Sequence, residues 1–193
     1  MSTWHQLVVS GNEKALRGFV AGFEAARGQR IEIAFGSDLG IAASSLATRV
    51  RDLLAPGASH HAIYASTATA GELVRALAAR GQEVGLTVVN QSEVLGASFS
   101  FEAKTASPEI AQAIRGQVLA ALPEGVEAVG VTISETHHPE SRGAELYAPE
   151  HAFEFRAAGG FRGPFPGVVE LHRRARSFEH ITVSPLTLDT REG

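Results

Sequence analysis

The residues best suited to chemistry lie in one polar segment, SETHHPESRGAELYAPEHAFEF, which runs from Ser134 to Phe155. Imidazole and carboxylate groups are the ligands that a cysteine-free chain offers to zinc, iron or manganese. The predicted metal ligands are His137, His138, Glu140 and His151, with Glu154 as an alternative carboxylate. The cofactor that this hypothesis implies is a divalent metal.

The same segment also has the composition of a polar connection between two strands. Neighbouring residues of a regular strand face opposite sides, so His137 and His138 cannot both point inward. No HExxH spacing is present, and Pro139, Ser141 and Gly143 are typical of an exposed loop. The sequence therefore favours a solvated acidic loop and leaves a metal-dependent enzyme as an alternative.

A second candidate site is the strand-to-helix loop STATAGE, which starts at Ser66. Small hydroxyl residues at a helix N-terminus can bind a phosphate or carboxylate, because free N–H groups and the helix dipole converge there. Thr67 and Thr69 are the predicted ligand-binding residues. Neither a dinucleotide glycine pattern nor a Walker A lysine is present, and a capping box formed by Thr69 and Glu72 accounts for the same residues.

A third candidate is the basic stretch ELHRRARSFEH, which contains His172 and Arg174. On a strand these two side chains share one face, where they would bind an acidic ligand or pair with Glu154 and Glu170. Together with the acidic segment 134–154, this stretch also predicts a self-complementary interface. We therefore expect self-association through the C-terminal strands.

The elements that position these residues begin with a β-α-β-α segment over residues 1–58. Apolar residues at i, i+3, i+4 and i+7 predict an amphipathic helix between strands at 7–9 and 31–35. Ser10 and Glu13 predict its capping box, and Gly28 its C-terminal glycine. A second helix, over 46–54, ends at Pro56–Gly57.

Residues 60–134 give the order β-α-β-β-α-β, which is the ferredoxin-like order. The "NQS" at 90–92 is interpreted as a turn between two strands. After it, Ser98, Ser100 and Glu102 alternate with apolar residues, so that Phe99 and Phe101 should face the helices. A repeated His-x-Leu/Ile pattern near residues 5 and 61 indicates a duplicated βαβ unit.

Three further strands are predicted near the C-terminus: Ala152–Arg156, Val168–His172 and His180–Leu188. The glycines and prolines of AAGGFRGPFPG predict an irregular connection between the first two. The predicted fold class is α+β, in a single domain over 1–193 with sub-units at 1–58, 59–134 and 135–193. The alternative is a doubly wound α/β sheet, because β-α-β-α-β-α-β opens the chain.

The composition narrows the classes of function. The apolar fraction of 44% and charged fraction of 20% are typical of a globular protein. The formal net charge of −4 gives no electrostatic footprint for nucleic acid or an anionic membrane. The chain has no cysteine, which excludes disulfides and a cysteine nucleophile. No secretory leader precedes residue 11, so we expect a cytoplasmic location.

The function predicted from sequence is that of a soluble α+β domain that oligomerises and binds a small ligand. The alternatives are a metal-dependent enzyme using the cluster at 137–154, and an anion-binding protein using the strand-to-helix loops. The sequence identifies neither a substrate nor a reaction, and it leaves open whether the chain is an enzyme.

The metal hypothesis predicts that the double variant His137→Ala/His151→Ala loses bound zinc or manganese. Metal that binds only the folded protein should raise the wild-type melting temperature in proportion to the logarithm of its concentration. The effect should weaken below a pH of about 6.5, where histidines become protonated. Metal analysis after dialysis and thermal melts check this, and equal values for both proteins would contradict it.

Overall fold

The computed structural model describes residues 3–28, 33–41, 46, 48–120, 122–137 and 153–192. Its strands are β1 (Trp4–Ser10), β2 (Ile33–Phe35), β3 (His60–Ser66), β4 (Thr87–Thr105), β5 (Glu127–His137), β6 (Phe153–Gly163), β7 (Ile181–Val183) and β8 (Thr187–Glu192). Its helices are α1 (Glu13–Arg27), α2 (Gly36–Leu39), α3 (Thr48–Leu53), α4 (Thr67–Arg80), α5 (Pro108–Leu119) and α6 (Phe165–Ala175). None of these helices is long and apolar enough to span a membrane.

The described strands form an antiparallel sheet of eight strands, so the α+β prediction is confirmed. The doubly wound alternative is wrong, because it requires parallel neighbours. The chain divides into two compact units, Met1–Gly96 with Thr187–Gly193, and Ala97–Leu186. Strand β4 supplies its first half to the first unit and its second half to the second. That the whole chain folds as a single domain stays a prediction.

The first unit has the strand order β2-β3-β1-β4, with antiparallel neighbours throughout. Alternate residues of β1 and β3 bury one apolar face against α1 and α4, forming a core that includes Leu7, Val9, Leu16, Val20, Ile63, Leu73 and Leu77. Helix α1 is capped by Asn12, whose side chain accepts from the N–H groups of Lys14 and Ala15 at 2.9 and 3.3 Å. The predicted cap at Ser10 is wrong, because Ser10 still pairs with His60 in the sheet. Gly28 ends the helix at a φ of 63°, as predicted.

The second unit has the strand order β5-β6-β4-β7, again with antiparallel neighbours. Its core is aromatic: the ring centroid of Phe161 lies 5.3 Å from that of Phe99 and 5.6 Å from that of Phe101. The ring of Phe99 also lies 5.0 Å from the imidazole of His172 on α6. Phe99 thus faces α6, which lies outside the 60–134 segment whose helices Phe99 and Phe101 were expected to face.

The turn predicted at 90–92 is wrong, because β4 continues through it. Within the first unit these residues pair with β1, Gln91 opposite Leu7 and Ser92 opposite Gln6, after a register shift between Val8 and Val9. The polar side chains are accommodated inside the sheet, where Asn90 donates to the hydroxyl of Ser92 at 2.8 Å. Residues 60–134 consequently hold β3, α4, β4, α5 and β5, with one long strand where two were predicted.

The C-terminal prediction is wrong at two further places. Residues 157–163 continue β6 rather than forming an irregular connection, and Val168–His172 lies in helix α6 rather than in a strand. The buried residues of α6 recur at helical spacing, as Phe165, Val168, Leu171 and Ala175. Pro166 fits the first helical turn, where its missing N–H has no partner to lose.

Gly159 shows why glycine stands inside β6. A Cβ at this position would lie 2.6 Å from Cγ2 and 2.7 Å from Cα of Val131 on β5. The neighbouring Gly160 has only ordinary contacts, the nearest at 3.4 Å. Close packing of β5 on β6 therefore requires glycine at 159 but not at 160.

We predict that Gly159→Ala lowers the free energy of unfolding by about 1–3 kcal/mol, because the methyl group must displace the Val131 backbone. Gly160→Ala is the matched control, and it should change stability by no more than about 0.5–1 kcal/mol. Urea unfolding of the three proteins measures both values. Equal effects at the two positions would contradict the packing described for Val131.

Candidate functional site

The predicted metal segment is described at its ends only. His137 closes β5, is exposed, and pairs across the sheet with Phe153, their ring centroids 4.8 Å apart. His138, Glu140 and His151 lie outside the described residues. Across the part of the chain that the structure describes, no three His, Asp or Glu side chains are grouped so as to hold a metal. Metal binding at these four residues stays a prediction.

The predicted anion site lies at the N-terminus of α4. Thr67 is the first helical residue, and its hydroxyl donates to the backbone oxygen of Thr3 at 3.0 Å. Thr69 is buried and accepts from the hydroxyl of Ser66 at 3.2 Å. The capping box predicted at Thr69 is wrong, because the helix starts earlier, with Ser66 at the cap position. Both threonine hydroxyls have protein partners, and ligand binding by them stays a prediction.

His172 and Arg174 do not share a face, because they lie on a helix, where residues two apart point in different directions. Arg174 forms an ion pair with Glu170 one turn earlier, a partner that the sequence suggested. His172 is 3% exposed, and its Nε2–H donates to the backbone oxygen of Ser184 at 2.9 Å. Its imidazole therefore belongs to the core rather than to an open ligand site.

The hydrogen bond of His172 joins α6 to the end of β7. Burial lowers the pKa of His172, the positive charge of Arg176 lowers it further, and the hydrogen bond to Ser184 opposes both. Ser184 is in turn tied to β4, since its N–H donates to the oxygen of Ser100 and its hydroxyl accepts from the N–H of Ser100, both at 2.9 Å. The neutral imidazole thus helps to fix β7 against β4.

A polar cleft, which the sequence did not predict, lies on the second unit's sheet. It is open, has a volume of about 350 Å³, and is lined by Glu102, Lys104, His180 and Thr182. Glu102 pairs directly with Thr182 of β7, and Lys104 with Arg156 of β6. Because paired residues share a face of the sheet, β4 and β7 bring Glu102 and Thr182 together, and Arg156 of β6 lies on the same face beside Lys104.

Arg156 and Lys104 both pair with Glu102, but at different distances. Arg156 donates to Glu102 at 2.7 Å, a normal length for a charge-assisted hydrogen bond. The ammonium group of Lys104 lies 3.6 Å from Glu102 and 3.7 Å from Glu154. The bond from Arg156, followed by weaker effects of Lys104, lowers the pKa of Glu102, so this carboxylate is ionised at neutral pH. Lys104 is the more loosely paired cation.

His180, one of the residues that line the cleft, adopts a left-handed backbone conformation. Its φ is 65°, and among the described residues it is the only one other than glycine with a positive φ. Such residues are uncommon, although histidine adopts this region more readily than most side chains. This conformation occurs in the turn between α6 and β7, directly before Ile181.

The signal for this site was partly present in the sequence. The alternation of Ser100, Glu102 and Lys104 with apolar neighbours marks a strand with one polar face. That Thr182 and His180 lie next to this face follows only from the pairing of β4 with β7, which are separated by two helices and two strands.

Comparison with known proteins adds little to this geometry. No family model matches the chain, and no curated protein matches it. Among solved structures, a chain described as an unknown protein from Galdieria sulphuraria is similar, at 14% identity and a TM-score of 0.30. The match covers 100% of this chain and 98% of that one. A TM-score this low carries no inference about function.

We predict that His172 makes the stability of the protein sensitive to acid. Folding lowers the pKa of His172, so the unfolded chain binds the proton more tightly. Its contribution to stability is full above the unfolded pKa of about 6.5 and is lost as pH falls through the folded pKa, with a slope of at most about 1.4 kcal/mol per pH unit.

Urea unfolding between neutral and mildly acidic pH checks this on His172→Gln, which keeps an N–H donor but does not titrate. The variant should be less stable at neutral pH and show a shallower loss in acid. His60→Gln, which removes an imidazole that is not buried, is the matched control. A pH dependence in His172→Gln equal to that of the wild type would contradict the assignment.

Proposed function

We propose that the chain is a binding protein that takes a small organic acid in the polar cleft of its second unit. The observation that carries the proposal is the loosely paired ammonium of Lys104, which lines the same cleft as Thr182 and the ionised carboxylate of Glu102. These groups offer an anion two donors and offer a ligand hydroxyl one acceptor.

We also propose a ferredoxin-like assignment for each unit, in place of the single unit expected at 60–134. In the first unit the supporting order is β1-α1-β2-β3-α4-β4, with α2 and α3 inserted before β3. In the second it is β4-α5-β5-β6-α6-β7. Each unit places its third strand between its first and second, with antiparallel neighbours, as a split βαβ arrangement requires. Antiparallel sheets commonly leave one face in contact with solvent.

The class of ligand follows from the distances in the cleft. Charge-assisted hydrogen bonds are about 2.7–2.9 Å long, so a ligand carboxylate at that distance would bind Lys104 more closely than Glu102 and Glu154 do. Glu102 would accept from a hydroxyl on the same ligand, because Arg156 keeps this carboxylate ionised and in place. The volume lies near the lower end of small-molecule sites, which are about 300–1,000 Å³. A small hydroxy acid fits both constraints.

The chain offers an internal control, because it has two lysines, Lys104 in the cleft and Lys14 on α1. We predict that lactate, malate and citrate, tested one by one by nuclear magnetic resonance titration, shift resonances of residues 102–104 and 180–182. Lys104→Ala should weaken binding at least about tenfold, or about 1.4 kcal/mol, whereas Lys14→Ala should not. Binding should also weaken as salt rises, because the cleft is open.

Two results would contradict the proposal. One is that none of the three acids shifts the cleft resonances of the wild type. The other is that Lys104→Ala binds as tightly as Lys14→Ala, which would place the acid elsewhere. The unfolding midpoints of both variants show that each keeps its fold.

Self-association, expected from the sequence, is a second proposal, and the edge strand β5 supports it. β5 is eleven residues long and stands at the end of the strand order β5-β6-β4-β7. Its residues are exposed except for Val131 and Ile133, which are partly buried. An edge of this length presents a row of backbone donors and acceptors that another strand can satisfy.

A further inference from the structure

We infer that β5 pairs antiparallel with β5 of a second copy of the chain, with Ser134 on the two-fold axis. The inference rests on the self-association proposed above and goes further by naming the surface and the register. It follows from three properties of β5: its regular segment, its outer edge, which no other described strand pairs with, and its self-complementary sequence.

The regular part of β5 is Thr132–His137. A register shift between Val129 and Thr132 interrupts the pairing with β6, and Gly130 there has a φ of 60°. After the shift, Thr132–His137 pairs without interruption with 153–158 of β6. A partner strand on the other edge therefore finds six residues of regular backbone.

This edge has few of the features by which natural sheets prevent pairing between exposed strands, and Glu135 is the one carboxylate in Thr132–His137. Natural edges are kept short, or carry lysine, proline or a bulge. The opposite edge of the second unit follows that rule, since β7 has only three residues. Thr132–His137 contains neither lysine nor proline, and its bulge lies before the segment rather than within it.

The two-fold axis must pass through a residue, because antiparallel partners share a face of the sheet only when they lie an even number of positions apart. An axis at Glu135 would place this carboxylate opposite its own copy, which is unfavourable. An axis at Ile133 would bring the bulge into the pairing. An axis at Ser134 avoids both, because it pairs Thr132–Thr136 with the same five residues of the other copy.

The register centred on Ser134 is also self-complementary. It sets Thr132 of each copy opposite Thr136 of the other, and threonine pairs stabilise antiparallel strands through their hydroxyl groups. Ile133 lies opposite Glu135, so that no carboxylate directly faces another. These pairs occur twice, once on each side of the axis, which favours a second copy of this chain over an unrelated peptide.

A cysteine at the axis tests the register directly, because the chain has no cysteine of its own. Residues opposite one another in antiparallel strands have Cα atoms about 4.5–5.5 Å apart, within the range of about 4.4–6.8 Å that a disulfide spans. Ser134→Cys should therefore form a disulfide-linked dimer under mild oxidation. Ser100→Cys, also an exposed serine but on a strand that is paired on both sides, is the matched control.

Sedimentation of the wild-type protein, which has no cysteine, tests self-association separately from the β5 interface. The chain has a mass of 20.3 kDa, and a species of twice that mass across the micromolar range supports self-association. Ser134→Lys, which places a cation opposite its own copy, should raise the dissociation constant at least about tenfold, whereas Ser100→Lys should not. The unfolding midpoints show whether each variant keeps its fold.

Each possible result supports or overturns a stated part of the proposal: self-association, the β5 interface or the register. A monomer at every concentration would overturn self-association and the interface with it. A dimer in which Ser134→Cys oxidises no faster than Ser100→Cys would leave self-association standing and overturn the β5 interface. Faster oxidation of Glu135→Cys than of Ser134→Cys would overturn the register. A Ser134→Cys dimer formed selectively, together with dissociation by Ser134→Lys, is the expected result.

Discussion

The second unit depends on the alternation of side chains along the second half of β4. Phe99, Phe101 and Ala103 are buried, whereas the residues between them are polar and more exposed. Burial of two phenylalanine rings stabilises the fold by several kcal/mol, so the register of this strand is strongly specified. Because a slip by one residue would exchange the two faces, the same packing that forms the core also fixes Glu102 and Lys104 on the open face.

The close approach of β5 to β6 at Gly159 determines which part of the edge strand β5 is regular. Gly159 lets Val131 pack directly over β6, and the register shift beside it absorbs the extra length of β5. A bulky residue at 159 would push β5 away from β6. The close packing at Gly159 therefore helps to set the position and accessibility of the Thr132–His137 edge. The surface proposed for self-association therefore depends on how closely β5 packs against β6 at this point.

The core and the polar cleft are linked through β7. His172, neutral and buried, donates to Ser184, and Ser184 exchanges backbone and hydroxyl hydrogen bonds with Ser100 on β4. These bonds hold β7 in the pairing that brings Thr182 beside Glu102. On the other side Arg156 fixes the Glu102 carboxylate. These bonds position a three-residue strand so that Thr182 lines the polar cleft, although the pairing of β7 itself is short.

The sequence by itself determined those features whose cause is local. The periodicity of α1, with Gly28 at its end, follows from neighbours in the chain. So does the two-faced character of residues 98–103. In these cases the side chain that explains the conformation lies within one or two turns of the residue concerned.

Tertiary structure decided what local signals left ambiguous. Asn90, Gln91 and Ser92 have the composition of a turn, but pairing with β1 supplies partners that make an unbroken strand more stable. In the sequence, the glycines at 159–160 are typical of a loop. In the structure they lie in β6, and the Val131 backbone occupies the space that a Cβ at Gly159 would need. The polar cleft joins residues about eighty positions apart, and nothing near Lys104 in the sequence indicates His180. Only strand pairing, which is stabilised by burial of the shared aromatic core, brings them together.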